Sequence, residues 1–288
     1  MTREGTLVTI DGKPALRFER RYRHPMERVW RAISDPGEMA RWFPSNVEGE
    51  RTVGAQLTFF DEEQRAAARE AGEPTRADGP MFRGTVVTYD PPKVFSFTWG
   101  GELLRFELLP DGDDTILVFT QVLSHQSVAA RNGAGWHMCL TALDDLLDEA
   151  VEGTVDWTDV YDDYVERIGP ALGVPSGDGA MTWERSTHVE PDRVRAATSD
   201  PAEIDAWGAS EHATDPVRWD VEPTEHGTLY RLTHSGIGDD ADLAATWHAL
   251  LVQLDMYLAA GQLIPVDHSR WVAAYDAALP DGASHPTR

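Results

Sequence analysis

An internal repeat constrains this chain more than any other feature. Residues 24–42 recur, offset by 165 positions, at 189–207; Arg28, Val29, Ala32, Ser34, Asp35, Pro36, Glu38 and Trp42 meet identical residues there. Residues 105–110 face 218–223, and 115–121 face 228–234, both offset by 113. Residues 136–147 match 247–258 at an offset of 111, and Trp157 and Tyr161 match Trp271 and Tyr275 at 114. Four blocks in one order predict a single structural unit used twice, and missing such a repeat misassigns the whole fold. The fall in offset from 165 to 111 removes 54 residues from the second copy, corresponding to about 45–100 of the first.

The first copy reads as an α+β unit. Alternating apolar residues predict strands at 15–22, 55–60, 81–89, 94–99, 103–109 and 115–123, separated by the turn formers of 90–92, 100–101 and 110–114. Pro25 opens a helical stripe of Val29, Ile33 and Met39 that Asp35 and Pro36 interrupt, giving two short helices. Trp136, Leu140, Leu143 and Leu147 recur at three- and four-residue steps, so a long amphipathic helix over 134–150 closes the unit. The shortened copy keeps the first strand, the helix pair, the last two strands and the closing helix, and lacks three meander strands. Such a three-stranded sheet leaves an edge that pairs readily, so the second copy is expected to dock on the first copy or on another chain, as in a homodimer. The expected organisation is a complete domain at 1–169, a Gly/Pro-rich linker at 170–179 and a truncated domain at 180–288.

Pro25, Arg28, Val29 and Trp30, then Ser34, Asp35, Pro36, Trp42 and Phe43, then Gly84 with Asp90, Pro91 and Pro92, then Phe97 to Trp99, Phe106 to Pro110, and Gly135 with Trp136, carry a resemblance. In this order and spacing the chain resembles the SRPBCC superfamily (START-like, Bet v1-like), and within it the activator of heat-shock-protein ATPase homologue branch. The resemblance implies a helix-grip fold, a curved antiparallel sheet around a long C-terminal helix, with a hydrophobic cavity between them. In many relatives that cavity holds a small apolar molecule; the branch name comes from relatives that stimulate a chaperone ATPase.

Composition narrows the function. With 49 acidic and 25 basic residues the formal charge is -24, which would repel a phosphate backbone, so no nucleic acid partner is expected. No run approaches eighteen apolar residues, so no membrane span is expected, and the N-terminus lacks the basic-then-apolar pattern of a secretion signal. The single cysteine, Cys139, fits a reducing compartment and a cytoplasmic location. Residues 137, 125 and 248 are histidines, but HExxH, GxSxG, phosphate-loop and dinucleotide patterns are missing, so no catalytic residue, metal ligand or cofactor is assigned. Cys139 is expected as a buried small hydrophobe, and Asp144–Asp145 and Asp162–Asp163 as solvated helix faces.

Strand alternation places Phe95, Phe97 and Trp99 on one face, Leu104, Phe106 and Leu108 on the next, and Leu117, Phe119 and Gln121 on the last. With Phe82, Trp136, Leu140 and Leu143, the residues Phe97, Trp99, Phe106, Phe119 and Gln121 form the expected ligand-binding set. The same aromatics equally describe an ordinary filled core. An inward amide such as Gln121 either orients a ligand or bonds the closing helix or a water. The charged insert at 61–80 reads as a lid over the cavity or as a solvated excursion. Three functions follow: non-catalytic binding of a small apolar or aromatic ligand, a cyclase- or hydratase-type enzyme using Gln121, His125 or His137, and a co-chaperone-like or regulatory interaction protein.

Overall fold

The computed structural model describes residues 4–60, 82–148, 157–168, 172–187, 189–212, 215–224, 227–261, 263 and 265–279. The insert at 61–80 lies outside them. The chain divides into two compact units, Met1–Gly169 and Pro170–Arg288.

The first unit contains β1 (Thr6–Ile10), β2 (Lys13–Tyr22), α1 (Met26–Ser34), α2 (Pro36–Met39), β3 (Asn46–Glu48), β4 (Gln56–Phe60), β5 (Phe82–Asp90), β6 (Val94–Trp99), β7 (Glu102–Asp111), β8 (Asp114–Val122), α3 (Ala129–Asp148) and α4 (Trp157–Ile168). Its strands form one antiparallel sheet in the order β1-β2-β8-β7-β6-β5-β4-β3. The second unit contains β9 (Val174–Pro175), β10 (Ala180–Thr187), α5 (Pro191–Ser199), α6 (Pro201–Ala206), β11 (Val217–Thr224), β12 (Gly227–Ser235), α7 (Ala241–Ala260) and α8 (Ser269–Ala278), with sheet order β11-β12-β10-β9. This is an α+β helix-grip fold followed by a second partial unit.

Each sheet is larger than the sequence suggested. In the first unit β1 pairs with β2 across Asp11 and Gly12, both at positive φ, a two-residue hairpin turn that an Asp-Gly pair favours. β3 is a three-residue strand paired with β4. In the second unit, part of the expected linker is sheet: Val174–Pro175 pairs with Met181–Thr182 on β10, and Gly173 donates its N–H to the Tyr275 hydroxyl at 3.0 Å. The sheet therefore has four strands, and among the described residues it lacks counterparts of β3 to β6.

Local chemistry explains the repeated motif. Asp35 ends α1 and caps α2, its Oδ1 accepting the Glu38 N–H at 3.0 Å, with Pro36 at the first helical position. Asp200 does the same between α5 and α6, accepting from the Ala202 N–H at 2.9 Å. The Trp42 indole donates to the Ala32 carbonyl at 2.9 Å, and the Trp207 indole to Ala197 at 2.8 Å. Arg28 pairs with Glu38 at 2.6 Å, and Arg193 with Glu203 at 2.5 Å.

Deeper contacts recur too. Arg20 on β2 faces Asp144 on α3 at 3.6 Å, and Arg185 on β10 faces Asp255 on α7 at 3.7 Å. Asp144 is thus a buried ion-pair partner, 6% exposed, and not the solvated residue expected; a charge on the sheet face of a helix reads like a surface charge until its partner is known. The Gly5 N–H meets the Tyr164 hydroxyl at 2.7 Å, in the role that Gly173 and Tyr275 fill in the second unit. The counterpart of Tyr275 is therefore Tyr164, at the offset of 111, and not Tyr161. The closing helix also starts earlier than its apolar stripe suggested, at Ala129. Gly133 on α3 is required by packing, because a Cβ there would lie 2.5 Å from the Tyr164 ring.

Candidate functional site

Alternation along the strands puts apolar side chains on the face toward α3. On β7, Glu102, Leu104, Phe106 and Leu108 are buried, and their neighbours are not. Register then stacks the rows: Phe106 lies opposite Phe95 on β6 and Phe119 on β8, and Phe119 opposite Phe18 on β2. The rings touch, with centroids 4.7 Å apart for Phe106 and Phe119 and 4.5 Å for Phe119 and Trp136 on α3. Burial of each such ring contributes about 1.5–3 kcal/mol.

Phe97, Phe106, Phe119, Gln121, Leu140 and Leu143 are each 0% exposed, and Trp136 is 4% exposed. Trp99 is half-buried, 5.9 Å from Trp136. Phe82 opens β5 opposite Phe59; its side chain lies outside the described residues. Ring contacts and a hydrogen bond thus join six of the nine expected residues, Phe97, Trp99, Phe106, Phe119, Gln121 and Trp136, in one cluster, and Leu140 and Leu143 are buried on α3.

Sequence reasoning missed Phe43, in the loop after α2. Its ring lies 5.6–6.2 Å from Phe59, Phe97, Trp99 and Trp136, at the centre of the cluster. It sits beside Trp42 in the repeated motif, which could have marked it.

A polar chain crosses this apolar cluster. The Trp136 indole donates to Gln121 Oε1 at 2.6 Å; Gln121 Nε2 donates to Glu102 Oε2; and Glu102 Oε1 accepts from the Ser124 N–H at 2.7 Å and the Ser124 hydroxyl at 2.8 Å. The chain runs from the core to an exposed serine. Glu102 is 3% exposed, and among the described residues the partners of its carboxyl are all neutral donors. It occupies the last inward position of the β7 row, so the same alternation that selected Phe106 could have selected it.

Other candidates lie elsewhere. His125 Nδ1 accepts the Ser127 N–H at 3.2 Å, capping the short 3-10 helix Gln126–Val128 ahead of α3. His137 faces the Tyr164 hydroxyl at 3.4 Å, and burial lowers its pKa, with Arg20 acting in the same direction. Burial raises the Tyr164 hydroxyl to about 12 and the Cys139 thiol to about 12, so neither ionises readily near neutrality. Cys139 itself is only part-exposed on α3, close to the buried small residue expected. Among the described residues no group of three His, Cys, Asp or Glu is placed to hold a metal ion. No described helix is long and apolar enough to cross a membrane.

Residues 23–148 match the family model described as Activator of Hsp90 ATPase homolog 1-like protein. The match covers most of the first unit and none of the second. The matched span contains the aromatic cluster and the polar chain. A search of curated proteins finds no match. Among solved structures, the chain is similar to a conserved protein of unknown function from Enterococcus faecalis, at 18% identity over 57% of this chain and 90% of that one, TM-score 0.46. CalU16 from Micromonospora echinospora is 19% identical over 57% and 93%, TM-score 0.43. A Bordetella parapertussis protein is 28% identical over 57% and 91%, TM-score 0.42.

On the opposite sheet face of the first unit, an open groove of about 450 Å³ is lined by Ile10, Arg17, Leu103, Arg105 and Thr120 among others. It is separate from the expected site, since Arg105 and Thr120 point away from Phe106 and Phe119.

Proposed function

We propose that the first unit binds a small apolar or aromatic molecule between its sheet and α3 without transforming it. The observation that carries the reading is the Glu102 carboxyl, buried and met among the described residues by the neutral donors of Gln121 and Ser124. A core selected for stability alone gains nothing from a buried carboxyl with no cation to meet it, which is costly to desolvate. A site that must orient a guest gains a fixed polar row against an apolar wall. Gln121 retains a second amide hydrogen for that purpose, while Phe43 and Trp136 supply flat apolar surface. In this reading Phe43 gives way when the guest enters.

A second reading, an interaction protein with a filled core, is favoured by the 0% exposure of Phe97, Phe106, Phe119, Leu140 and Leu143. The two readings part in one experiment: thermal unfolding with a panel of apolar aromatic compounds, on the parent and on Gln121→Leu. Binding predicts stabilisation by at least one compound that Gln121→Leu weakens about tenfold or more. Stabilisation by none, with Gln121→Leu only lowering the melting temperature, supports the filled core.

Our reading further takes the second unit as a truncated duplicate that serves docking or dimerisation. In support, β11 pairs only with β12 among the described strands, leaving its other edge to be covered. A single cysteine supports action inside the cell.

A further inference from the structure

The polar chain of the first unit has a titratable counterpart in the second. Gln121 pairs with Leu104 across β8 and β7 as His234 pairs with Val217 across β12 and β11. In that register Glu102, Gln121 and Trp136 correspond to Asp215, His234 and Trp247, and His212 takes the packing place of Trp99. The packing corresponds as well, with Trp99 5.9 Å from Trp136 and His212 5.6 Å from Trp247.

The bonding does not correspond. His234 is 3% exposed and Trp247 2% exposed, yet among the described residues both imidazole nitrogens of His234 and the indole nitrogen of Trp247 lack a hydrogen-bond partner. Asp215 Oδ2 lies 2.9 Å from His212 Nδ1 and 3.8 Å from His234 Nε2. One carboxylate therefore stands between two histidines, one partly exposed and one enclosed.

The geometry points to an acid-sensitive latch: His212, Asp215 and His234 hold the β11–β12 end of the second sheet closed against Trp247 on α7 while His234 is neutral, and proton uptake by His234 opens it. Closure requires an uncharged His234, because Met181 on β10, Val217 on β11 and Trp247 on α7 offer an added charge no partner, and the Asp215 carboxylate 3.8 Å away is engaged at shorter range by His212. The charged or titratable groups acting on it are Asp215, which opposes the effect of burial, and His212, which reinforces it. Asp215 Oδ2 lies 2.9 Å from His212 Nδ1, so the carboxylate is already engaged and is not free to meet a charged His234. A proton on His234 itself is accommodated only by moving the ring toward Asp215 or water, away from Trp247. The first unit, with an amide in the same place, has no such response. This inference does not depend on ligand binding by the first unit.

The test is amide hydrogen exchange on the full chain at pH 7.5 and 5.5, corrected for the intrinsic pH dependence of exchange. It compares the parent with His234→Gln, which installs the residue of the first unit, and with His212→Gln at the partly exposed position. Parent peptides from β12 and α7 should lose protection about tenfold at pH 5.5, with β8 and α3 unchanged. His234→Gln should abolish that loss, and His212→Gln should reduce it. Unchanged parent protection overturns the latch; an equal loss in His234→Gln also overturns it and assigns the acid sensitivity to another group, such as the buried His248. If His234→Gln is not folded at pH 7.5, an undiminished loss in His212→Gln overturns it.

Discussion

Trp136 on the closing helix donates its indole hydrogen to the side-chain oxygen of Gln121 on β8, across 2.6 Å. This bond ties the helix to the sheet inside a cluster of aromatic rings, and Gln121 passes the connection on to Glu102.

Breaking it from the strand side should leave two orphans. Gln121→Leu removes the acceptor of Trp136 and one donor to Glu102, so it should destabilise the first unit by about 2–4 kcal/mol. Replacing Glu102 with Leu in the same chain should recover part of that loss, because a buried carboxyl is removed. Urea titration of the two variants and the parent gives the comparison.

Neighbouring glycines on α3 should behave oppositely. A Cβ at Gly133 would lie 2.5 Å from the Tyr164 ring, whereas at Gly135 nothing lies within 4 Å. Gly133→Ala should therefore destabilise by about 1–3 kcal/mol. Gly135→Ala should stabilise by up to about 1 kcal/mol through helix propensity. Thermal melts of the single variants distinguish them.

Removing one member of a buried ion pair should be severe in either unit. Arg20→Met removes the cation 3.6 Å from Asp144, and Arg185→Met the cation 3.7 Å from Asp255, each expected to cost about 3–5 kcal/mol. Amide exchange should place the loss in the unit that carries the substitution.

Acid should loosen the second unit first. Burial lowers the folded pKa of His137, His234 and His248, that of His248 furthest. Each contribution is complete above the unfolded value of about 6.5 and declines as pH falls toward the folded value, because the unfolded chain takes up protons first. Two of the three lie in the second unit. Its denaturation midpoint between pH 7.5 and 5.5 should fall more than that of the first.

Most of the framework is legible in the sequence because helix and sheet impose different periods, and because Asp35 and Asp200 punctuate both copies alike. β1 escaped because its apolar residues Leu7, Val8 and Ile10 do not alternate strictly and none of them is buried. Among the site residues, strand parity selected Phe106, Phe119 and Gln121. It could not show that Gln121 bonds Trp136, since that pairing spans fifteen residues and depends on how α3 lies on the sheet. Phe43 sits in a loop, where no period applies. Asp144 was misread because a helix stripe of apolar residues does not reveal a cation waiting on the strand opposite.

The central claim, that the first unit carries a small apolar guest, is tested most directly by native mass spectrometry of the purified full chain, before and after denaturation and extraction. The account predicts a reproducible small apolar molecule bound to the folded chain, released on unfolding and reduced in Gln121→Leu. A clean chain mass, with no uptake from an offered panel of apolar aromatic compounds, would contradict it.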